Sequence, residues 1–430
     1  MLSVVARGPR PCLALRPAAV RSFATETVTS SSNPPPPPLH SPPPKRTRLH
    51  PAPRPTRSHR HPTPFPLPPT FGRNQLLPVT DSTRALLESI VADFEAPVRY
   101  AFAYGSGVFE QDGYAAKDTE AGPMLDFMFA VTHADHWHSI NMNQHPSHYP
   151  LHARMLGSSF VSRVEDISPG VWFNTMVKVK GVNIKYGVTT VDNLCSDLLN
   201  WRTLYLAGRM HKPIRIIKDD PRVRLTQQVN LTSAIRAALL TLPSSFSETE
   251  LFERIAGISY SGDPRMLLPA ENRNKVANIV RKQSPQFKEL YHRLVIALPG
   301  VHWSPHSSTI EQDSSPLARS NHLRKLPLEL LTRVENDYAQ NDQWLRKEAD
   351  EISYWTKMAG DERLSTVLRN EMSDIVRYPA TIQSLKGIVS AGLVKSVRYT
   401  SEKVGKWWKS RGSGSASNQS QDKIDPPSST

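Results

Sequence analysis

The chain has 430 residues, of which 38% are hydrophobic and 38 are proline, and its formal net charge is +14. This length allows two or three domains, whereas the proline content excludes a chain that is packed core throughout. A basic chain ordinarily suggests a nucleic-acid partner, but residues 1–80 hold eleven Lys/Arg against one acid, Glu26. Residues 81–430 hold 42 basic and 38 acidic groups. The excess charge lies mostly in a segment that is not expected to fold, so we expect no nucleic-acid partner.

The first 75 residues have the composition of a targeting segment and a linker. Residues 1–25 contain four arginines and no acid, which is typical of a mitochondrial transit peptide. Residues 26–75 include the proline-rich stretch 31–70, which predicts an extended, disordered linker; a plain disordered tail is the alternative. Cys195 would be the only cysteine left after removal of Cys12, which suits a reducing compartment. No apolar run approaches the ~20 residues of a membrane-spanning helix, so we expect no spanning segment.

Residues 76–225 are predicted to form an α+β domain with a mixed sheet. Order is expected to begin near Asp81, where "DSTRALLESIVADF" has apolar residues at helical spacing. The stretches "VRYAFAY" and "MLDFMFAV" predict strands, and the second is apolar on both faces, as an inner strand is. Two strand candidates joined at Lys180-Gly181 predict a hairpin. A helix capped by Asp192 and a last strand, "PIRIIKD", complete this part.

Residues 226–330 predict a helical domain and residues 331–376 a charged helical extension. "SETE", residues 247–250, is a capping box that opens a helix ending at Gly257. Further helices are expected over 275–283 and 286–298, and residues 301–320 are expected to be irregular.

Residues 377–410 predict an amphipathic helix, followed by a disordered tail at 411–430. Within residues 382–410, apolar positions recur every three or four residues, with six basic residues and one acid, Glu402, between them. Trp407 and Trp408 close the segment. Such a helix suits the interface of an anionic membrane. A helix docked on the protein's own core is the alternative.

A Gly-Ser turn and a strand carboxylate suggest a phosphate site. Gly105 lets phosphate approach the backbone and Ser106 adds a hydroxyl, while Asp126 in "MLDFMFAV" can hold Mg²⁺. The pattern resembles the nucleotidyltransferase superfamily, in which a Gly-Ser step precedes Asp-x-Asp/Glu on a strand. Here position 128 is Met, and the separation of Ser106 from Asp126 is longer than usual. An ordinary turn followed by a half-buried Asp is the alternative.

Longer stretches make the resemblance specific. They are "YGSGVF", "MLDFMFAV", "HWHSINMNQHPSHY", "VKGVNIKYGV", "DLLNWRTLYLAGRMHKPIRII", "ISYSGDPRM" and "KVANIV". In this order, over about residues 98–298, they resemble the mitochondrial CDP-diacylglycerol synthases, the translocator assembly and maintenance protein family. The stretch "SLKGIVSAG" near the C-terminus also resembles that family, whereas residues 1–75 and 301–375 do not.

The resemblance implies a fold, a reaction and a location. It implies a nucleotidyltransferase domain, a helical domain of winged-helix type and a C-terminal amphipathic helix on the matrix face of the inner membrane. The implied reaction is Mg²⁺-dependent transfer of CMP from CTP to phosphatidic acid, which supplies cardiolipin and phosphatidylglycerol synthesis. The membrane partner would be the anionic lipid surface, bound through residues 382–410.

Candidate roles follow from this chemistry. The phosphate of phosphatidic acid is already anionic, so cations and metal should matter more than a general base. Asp126 is assigned to Mg²⁺, Gly105 and Ser106 to the triphosphate, and Lys185 to phosphate neutralisation during catalysis. The weaker candidates are Tyr104 and Tyr186 for the nucleotide, and Arg209 and Lys212 for the phosphate of either substrate.

A histidine cluster and two other functions stay open at this point. Six histidines between His133 and His152 could bind zinc, contact phosphate or a lipid headgroup, or simply pack. The fold could also serve a polynucleotide nucleotidyltransferase, although residues 81–430 carry little net charge for a phosphate backbone. Met128 in place of a second acid is also compatible with a non-enzymatic assembly factor for inner-membrane translocators.

Overall fold

The computed structural model describes residues 67–109, 124–267, 274–304, 306–341 and 350–414. The predicted transit peptide, most of the predicted linker and nearly all of the predicted tail lie outside these ranges. Side chains of residues 106, 267, 341, 389 and 391–414 also lie outside the described part.

A five-stranded mixed sheet forms the first half of the described chain. Its spatial order is β3-β4-β2-β1-β5; β2 and β4 run parallel and all other neighbours run antiparallel. "MLDFMFAV" is the central strand, as predicted, because it is apolar on both faces. The hairpin at Lys180-Gly181 is also confirmed, with φ of 49° and 82°. The strands are β1 (Tyr100–Tyr104), β2 (Leu125–Val131), β3 (Trp172–Val179), β4 (Val182–Thr190) and β5 (Ile214–Lys218).

Helices cover both faces of the sheet. One face packs on the predicted helix at Asp81 and on the helix that carries Trp137, and the other packs on the helix after β4. That last helix is capped by the Thr190 hydroxyl, which accepts from the N–H of Asn193 at 3.1 Å, so the predicted cap at Asp192 is wrong by two residues. The helices are α1 (Asp81–Val91), α2 (Ser106–Phe109), α3 (Ala134–Gln144), α4 (Leu151–Leu156), α5 (Ser158–Asp166), α6 (Val191–Asn200) and α7 (Ala207–Met210).

The second half is helical and carries a small antiparallel sheet of order β6-β8-β7. The capping box of Ser247 and Glu250 is confirmed. The division into two helices expected between 275 and 298 is confirmed, because α10 is interrupted at Gln283, whose backbone is not helical, just before Pro285. The elements are α8 (Pro221–Leu239), β6 (Ser245–Ser247), α9 (Glu248–Gly257), α10 (Lys275–Ile296), β7 (Val301–His302), β8 (Thr309–Gln312), α11 (Pro316–Leu323), α12 (Leu328–Asn341), α13 (Glu351–Gly360) and α14 (Leu364–Gly414).

Three predictions about organisation need correction. Residues 301–320 are not irregular, because they supply β7, β8 and the start of α11. The predicted boundary at 225/226 falls inside α8, and one continuous core joins Phe102 of the sheet to Leu251 of the helical part. Order also begins before Asp81, since Asn74 and Leu77 are buried and Asn74 donates to the Leu290 carbonyl at 2.8 Å.

Short 3₁₀ turns connect some of these elements, at Arg73–Gln75, Pro146–His148, Ile258–Tyr260 and Pro264–Leu267. Across the described ranges, no helix combines the length and apolar character needed to cross a bilayer.

Candidate active site

Three predicted site residues lie side by side across the sheet. Register places Tyr104 of β1 opposite Asp126 of β2, and Asp126 beside Lys185 of β4. The Lys185 Nζ lies 3.8 Å from Asp126 Oδ1 and 4.7 Å from the centroid of the Phe173 ring. Both charged side chains are about one quarter exposed, Lys185 at 23% and Asp126 at 27%. The pair therefore reaches the surface at this end of the sheet instead of being sealed inside it.

The turn after β1 lies directly against the carboxylate. Gly105 has φ +89°, a conformation that a side chain would strain. A Cβ built at Gly105 would lie 3.5 Å from Asp126 Oδ2. Oδ1 therefore lies near Lys185 while Oδ2 faces the turn. Ser106 begins α2, but its side chain lies outside the described part, so its phosphate contact stays a prediction.

Tyr186 does not line this surface, which corrects its predicted nucleotide contact. Neighbouring residues of a strand point to opposite faces, so Tyr186 lies behind the sheet when Lys185 faces forward. Its side chain is fully buried, and its hydroxyl accepts from Asn141 Nδ2 and lies 2.9 Å from His148 Nδ1. Tyr186 is a core residue.

Met128 occupies the position of the missing second acid. It lies on the same face as Asp126, one row deeper, paired with Gly187 of β4. Met128 is fully buried, and a Cβ at Gly187 would approach its sulfur to 2.8 Å and the Phe173 ring to 2.7 Å. No space exists there for a hydrated carboxylate, so this position belongs to the core.

A buried carboxylate shapes the loop that follows α6. Asp197 Oδ1 accepts from the backbone N–H groups of Thr203 and Leu204, and Oδ2 accepts from those of Leu206 and Ala207. These bonds offset the burial of its charge. The loop can therefore hold positive φ at Leu204, a residue that rarely adopts it. Asp197 was not predicted from the sequence. The feature that could have indicated it is an acidic residue near the end of a helix, before a loop rich in apolar residues.

Helix α7, which follows this loop, presents Arg209 next to the Asp126 surface. The Arg209 Nη1 donates to the Tyr205 carbonyl at 2.8 Å. Its guanidinium lies 4.0 Å from the Tyr205 ring centroid and 5.7 Å from that of Tyr104. Stacking on aromatic rings holds an arginine in a fixed orientation, so Arg209 is brought together with Asp126 and Lys185 as predicted.

Lys212, in the same loop, faces the helical half. Its Nζ donates to the Gly208 carbonyl at 2.5 Å and to Ser259 Oγ at 2.8 Å, and lies 4.9 Å from the Tyr260 ring centroid. Burial, helped by the nearby charges of Arg209 and Lys275, lowers the pKa of Lys212 to about 7. Near neutral pH the Lys212 side chain therefore exists in both its charged and its neutral form.

These groups open into one cleft of about 820 Å³. We call Tyr104, Gly105, Asp126 and Lys185 the sheet wall, and residues 203–213 the bridging loop. The helical wall comprises Ser259, Tyr260, Asp263, Arg265, Lys275, Asn278, Ile279, Arg281, Lys282, Gln283, Val376 and Ala380. Of the described residues lining the cleft, seven are Lys or Arg and two are acids. Sequence analysis missed the whole helical wall.

The second cleft carboxylate, Asp263, is held by an arginine. It is 6% exposed and accepts from Arg265 Nε at 2.9 Å and from the Arg265 backbone N–H at 3.0 Å. Burial raises the pKa of Asp263, but the Arg265 contacts outweigh burial and hold it below its usual value. Asp263 is therefore ionised and paired, which leaves Asp126 as the carboxylate placed for a metal among the described cleft residues.

The donor set fits Mg²⁺ bound together with a nucleotide. Mg²⁺ uses one or two carboxylates and fills its other positions with water and substrate phosphates. Asp126 offers Oδ2 toward the Gly105 turn, where phosphate can approach. Within the described residues no three His, Cys, Asp or Glu side chains converge on one point. A metal at Asp126 would thus depend on phosphate oxygens for its remaining ligands.

Two of the clustered histidines belong to a buried polar network. His138 lies 2.8 Å from both the Tyr149 hydroxyl and Glu165 Oε2. Burial lowers the pKa of His138 to about 3 and raises that of Glu165 well above its usual value. His138 is therefore neutral, because burial disfavours its charged form. His148 joins the same network at Tyr186, so the packing interpretation holds for these two histidines.

The first part of the predicted membrane helix is docked on the protein. Lys386 of α14 is 5% exposed, and its Nζ donates to the carbonyls of Glu165 and Ile167 at 3.0 and 2.6 Å. Counting Lys386 among lipid-facing cations was therefore wrong: it binds the carboxyl end of α5, where a positive charge is favoured. The apolar Leu385 and Ile388 are instead exposed, at 57% and 49%.

Comparison with known proteins identifies the family. Residues 87–406 match the family model described as "Phosphatidate cytidylyltransferase, mitochondrial". The protein of that name from Xenopus laevis is 39% identical over 340 residues, covering 78% of this chain and 98% of its own length. The Schizosaccharomyces pombe protein is 36% identical, covering 77% and 86%, and the Saccharomyces cerevisiae protein is 33% identical, covering 77% and 73%. The chain belongs to the mitochondrial phosphatidate cytidylyltransferase family.

Proposed function

We propose that this chain transfers the cytidylyl group of CTP to phosphatidate in the cleft around Asp126, giving CDP-diacylglycerol and diphosphate. The names of its relatives support this reaction. The observation that carries the assignment to this cleft is its charge, because seven Lys or Arg side chains face two carboxylates, Asp126 and the Arg265-bound Asp263. A site for two phosphate-bearing substrates needs such an excess of positive charge.

The reaction is a displacement at the α-phosphorus of CTP. A phosphate oxygen of phosphatidate forms a bond to that phosphorus, and the bond to the β-phosphate oxygen breaks, releasing diphosphate. Lys185 and Arg209 neutralise charge on the phosphates, and the Gly105 turn lets the triphosphate approach the backbone. Mg²⁺ held by Asp126 and the phosphates would supply the charge screening that the attack requires. Tyr104 orients Arg209 through its ring.

The architecture proposed with this function is finer than the α+β class. The part up to β5, with the mixed sheet and its Gly-Ser turn, forms a nucleotidyltransferase-like domain. The part from α8 to α10, with the three-stranded antiparallel sheet, forms a winged-helix-type domain. The two would share one core without a linker, because α8 crosses from one to the other.

We place the enzyme on the matrix face of the mitochondrial inner membrane, as a peripheral protein. Residues 1–25 would be the transit peptide, and the basic end of α14 would bind anionic lipid. Five basic residues and one acid lie between 391 and 410, and each basic residue near an anionic surface contributes about 1 kcal/mol. The exposed Leu385 and Ile388 support an apolar contribution from the same helix.

An assay with two acceptors tests the proposed function. Purified protein is incubated with labelled CTP and Mg²⁺, and with either phosphatidate vesicles or transfer RNA. We expect labelled CDP-diacylglycerol from the vesicles only. Label incorporated into RNA would favour a polynucleotide transferase, and no product from either acceptor would favour a non-enzymatic assembly factor.

A further inference from the structure

The turn at residues 258–267 supplies four of the twelve residues of the helical wall, beside those from α10 and α14. Tyr260 lies at its centre, with Lys212 Nζ 4.9 Å and Lys275 Nζ 5.4 Å from its ring centroid. Cations within about 6 Å of a ring centroid are attracted by the ring. Two ammonium groups from different elements thus share one tyrosine, in a cleft where the described cations greatly outnumber the acids.

This pair of lysines is suited to an anion. Two like charges on one ring repel each other: burial lowers the pKa of Lys212, and the charges of Arg209 and Lys275 lower it further. A phosphate bound between the ammonium groups would remove this repulsion. A phosphomonoester carries up to two negative charges and several acceptor oxygens. It can therefore accept hydrogen bonds from two ammonium groups that approach it from different directions.

The turn is fixed before any ligand binds. A Cβ built at Gly262 would lie 1.8 Å from the Ser373 carbonyl of α14, and Ser373 Oγ donates to the Ser261 carbonyl at 3.2 Å. On its other side, a Cβ at Gly208 would lie 2.4 Å from the Ser259 Cβ. The turn is therefore wedged between α7 and α14, and Tyr260 has a fixed support.

The helical wall also carries an apolar surface. Ile279 of α10 and Val376 and Ala380 of α14 line it, whereas the four residues of the sheet wall include no aliphatic side chain. α14 continues from this wall past Lys386 toward the basic end of the helix. A ligand of the helical wall would thus combine a phosphate with an apolar body.

We propose that Lys212, Lys275 and Tyr260 form the subsite for the phosphomonoester of a lipid acceptor, while the triphosphate of CTP lies on the sheet wall. This inference rests on the proposed function. An in-line displacement needs attacking and leaving oxygens on opposite sides of the phosphorus. With the acceptor on the helical wall, its oxygen bonds to the α-phosphorus as diphosphate leaves along the sheet wall.

Steady-state kinetics of Lys275→Gln test the subsite. Loss of one charged contact should raise the KM for phosphatidate roughly tenfold or more, while the KM for CTP stays within about twofold. Lys275→Arg should retain most of the affinity, and Tyr260→Leu should raise the same KM as Lys275→Gln. Arg293→Gln is the matched control, because it removes one charge from an exposed position of the same helix. An equal rise in both KM values, or no change in either, overturns the subsite.

Calorimetry measures the binding of the acceptor lipid independently of the transfer reaction. Short-chain dihexanoyl phosphatidate should bind the wild-type protein and bind Lys275→Gln roughly tenfold or more weakly, whether or not product forms. If the wild type makes no CDP-diacylglycerol but shows this difference, the proposed function fails and the subsite stands. Equal binding of both proteins refutes the subsite even in an active enzyme.

Discussion

Replacing Lys386 by Met should remove a buried charge that fixes α14 on the carboxyl end of α5. Lys386 donates to two carbonyls at the end of α5, and burial, only partly opposed by Glu165 and Asp166, lowers its pKa to about 8. Methionine has a similar length but no donor, so both carbonyls lose their partner. The lost charge-assisted bonds are partly offset by the removed cost of burying the charge. We therefore expect Lys386→Met to be about 1–3 kcal/mol less stable at pH 7.5.

The pH dependence of this difference is specific to a buried lysine. Between about pH 8 and the ordinary lysine pKa of 10.5, the unfolded chain keeps the Lys386 proton while the folded chain loses it. The unfolded state then binds more protons, so the stability of the wild type rises with pH relative to the variant. With a pKa of about 8 in the folded protein and 10.5 in the unfolded chain, the rise amounts to about 2 kcal/mol by pH 10.

Guanidinium denaturation at pH 7.5 and pH 10 measures this prediction. Arg377→Met is the matched control: it removes a 65% exposed cation from the same helix, one that pairs with Asp374 at 3.0 Å, and it should show a small effect without pH dependence. If the difference between wild type and Lys386→Met does not grow with pH, Lys386 is not buried in solution. In that case Lys386 would face the lipid, as the sequence predicts.

Two further changes test the cleft. The kcat/KM of the wild type for phosphatidate, divided by that of Lys212→Arg, should fall roughly tenfold or more in total as the pH rises through 7 and then level off, because lysine loses the charge that arginine keeps. The ratio cancels ionisation of the substrate, and a flat ratio would show that Lys212 stays charged. Met128→Asp should not create a second metal ligand but should lower the melting temperature sharply, since it buries an unpaired carboxylate in a fully enclosed position. A folded Met128→Asp protein with raised activity would contradict the core assignment, and Met128→Leu, which should be nearly neutral, is its control.

The local part of the fold could be predicted from the sequence. Strand β2, the hairpin at Lys180-Gly181 and the capping box at Ser247 depend on residues close together in the chain, so periodicity and turn chemistry reveal them. The grouping of Gly105, Asp126 and Lys185 also followed, because all three belong to neighbouring sheet elements. The same logic should have excluded Tyr186, since adjacent strand residues cannot face the same side.

The rest depends on contacts between distant segments. Tyr260 reaches the cleft because the turn at 258–267 is wedged between α7 and α14, two helices that are more than a hundred residues apart in sequence. The spacing of apolar residues in 382–410 predicted the helix but could not say which side is docked. Lys386 was misassigned for this reason: a lysine between apolar positions has the same pattern whether it meets lipid phosphate or a helix carboxyl end.

The most direct test of the central claim compares the two cleft carboxylates. Transfer from labelled CTP to phosphatidate vesicles is measured over a Mg²⁺ titration for the wild type, Asp126→Asn and Asp263→Asn. We expect Asp126→Asn to fold normally and to lose transfer at every Mg²⁺ concentration. Asp263→Asn should keep the Mg²⁺ dependence of the wild type, because Asp263 is held by Arg265. Near wild-type transfer by Asp126→Asn would contradict the assignment of the active site to this cleft.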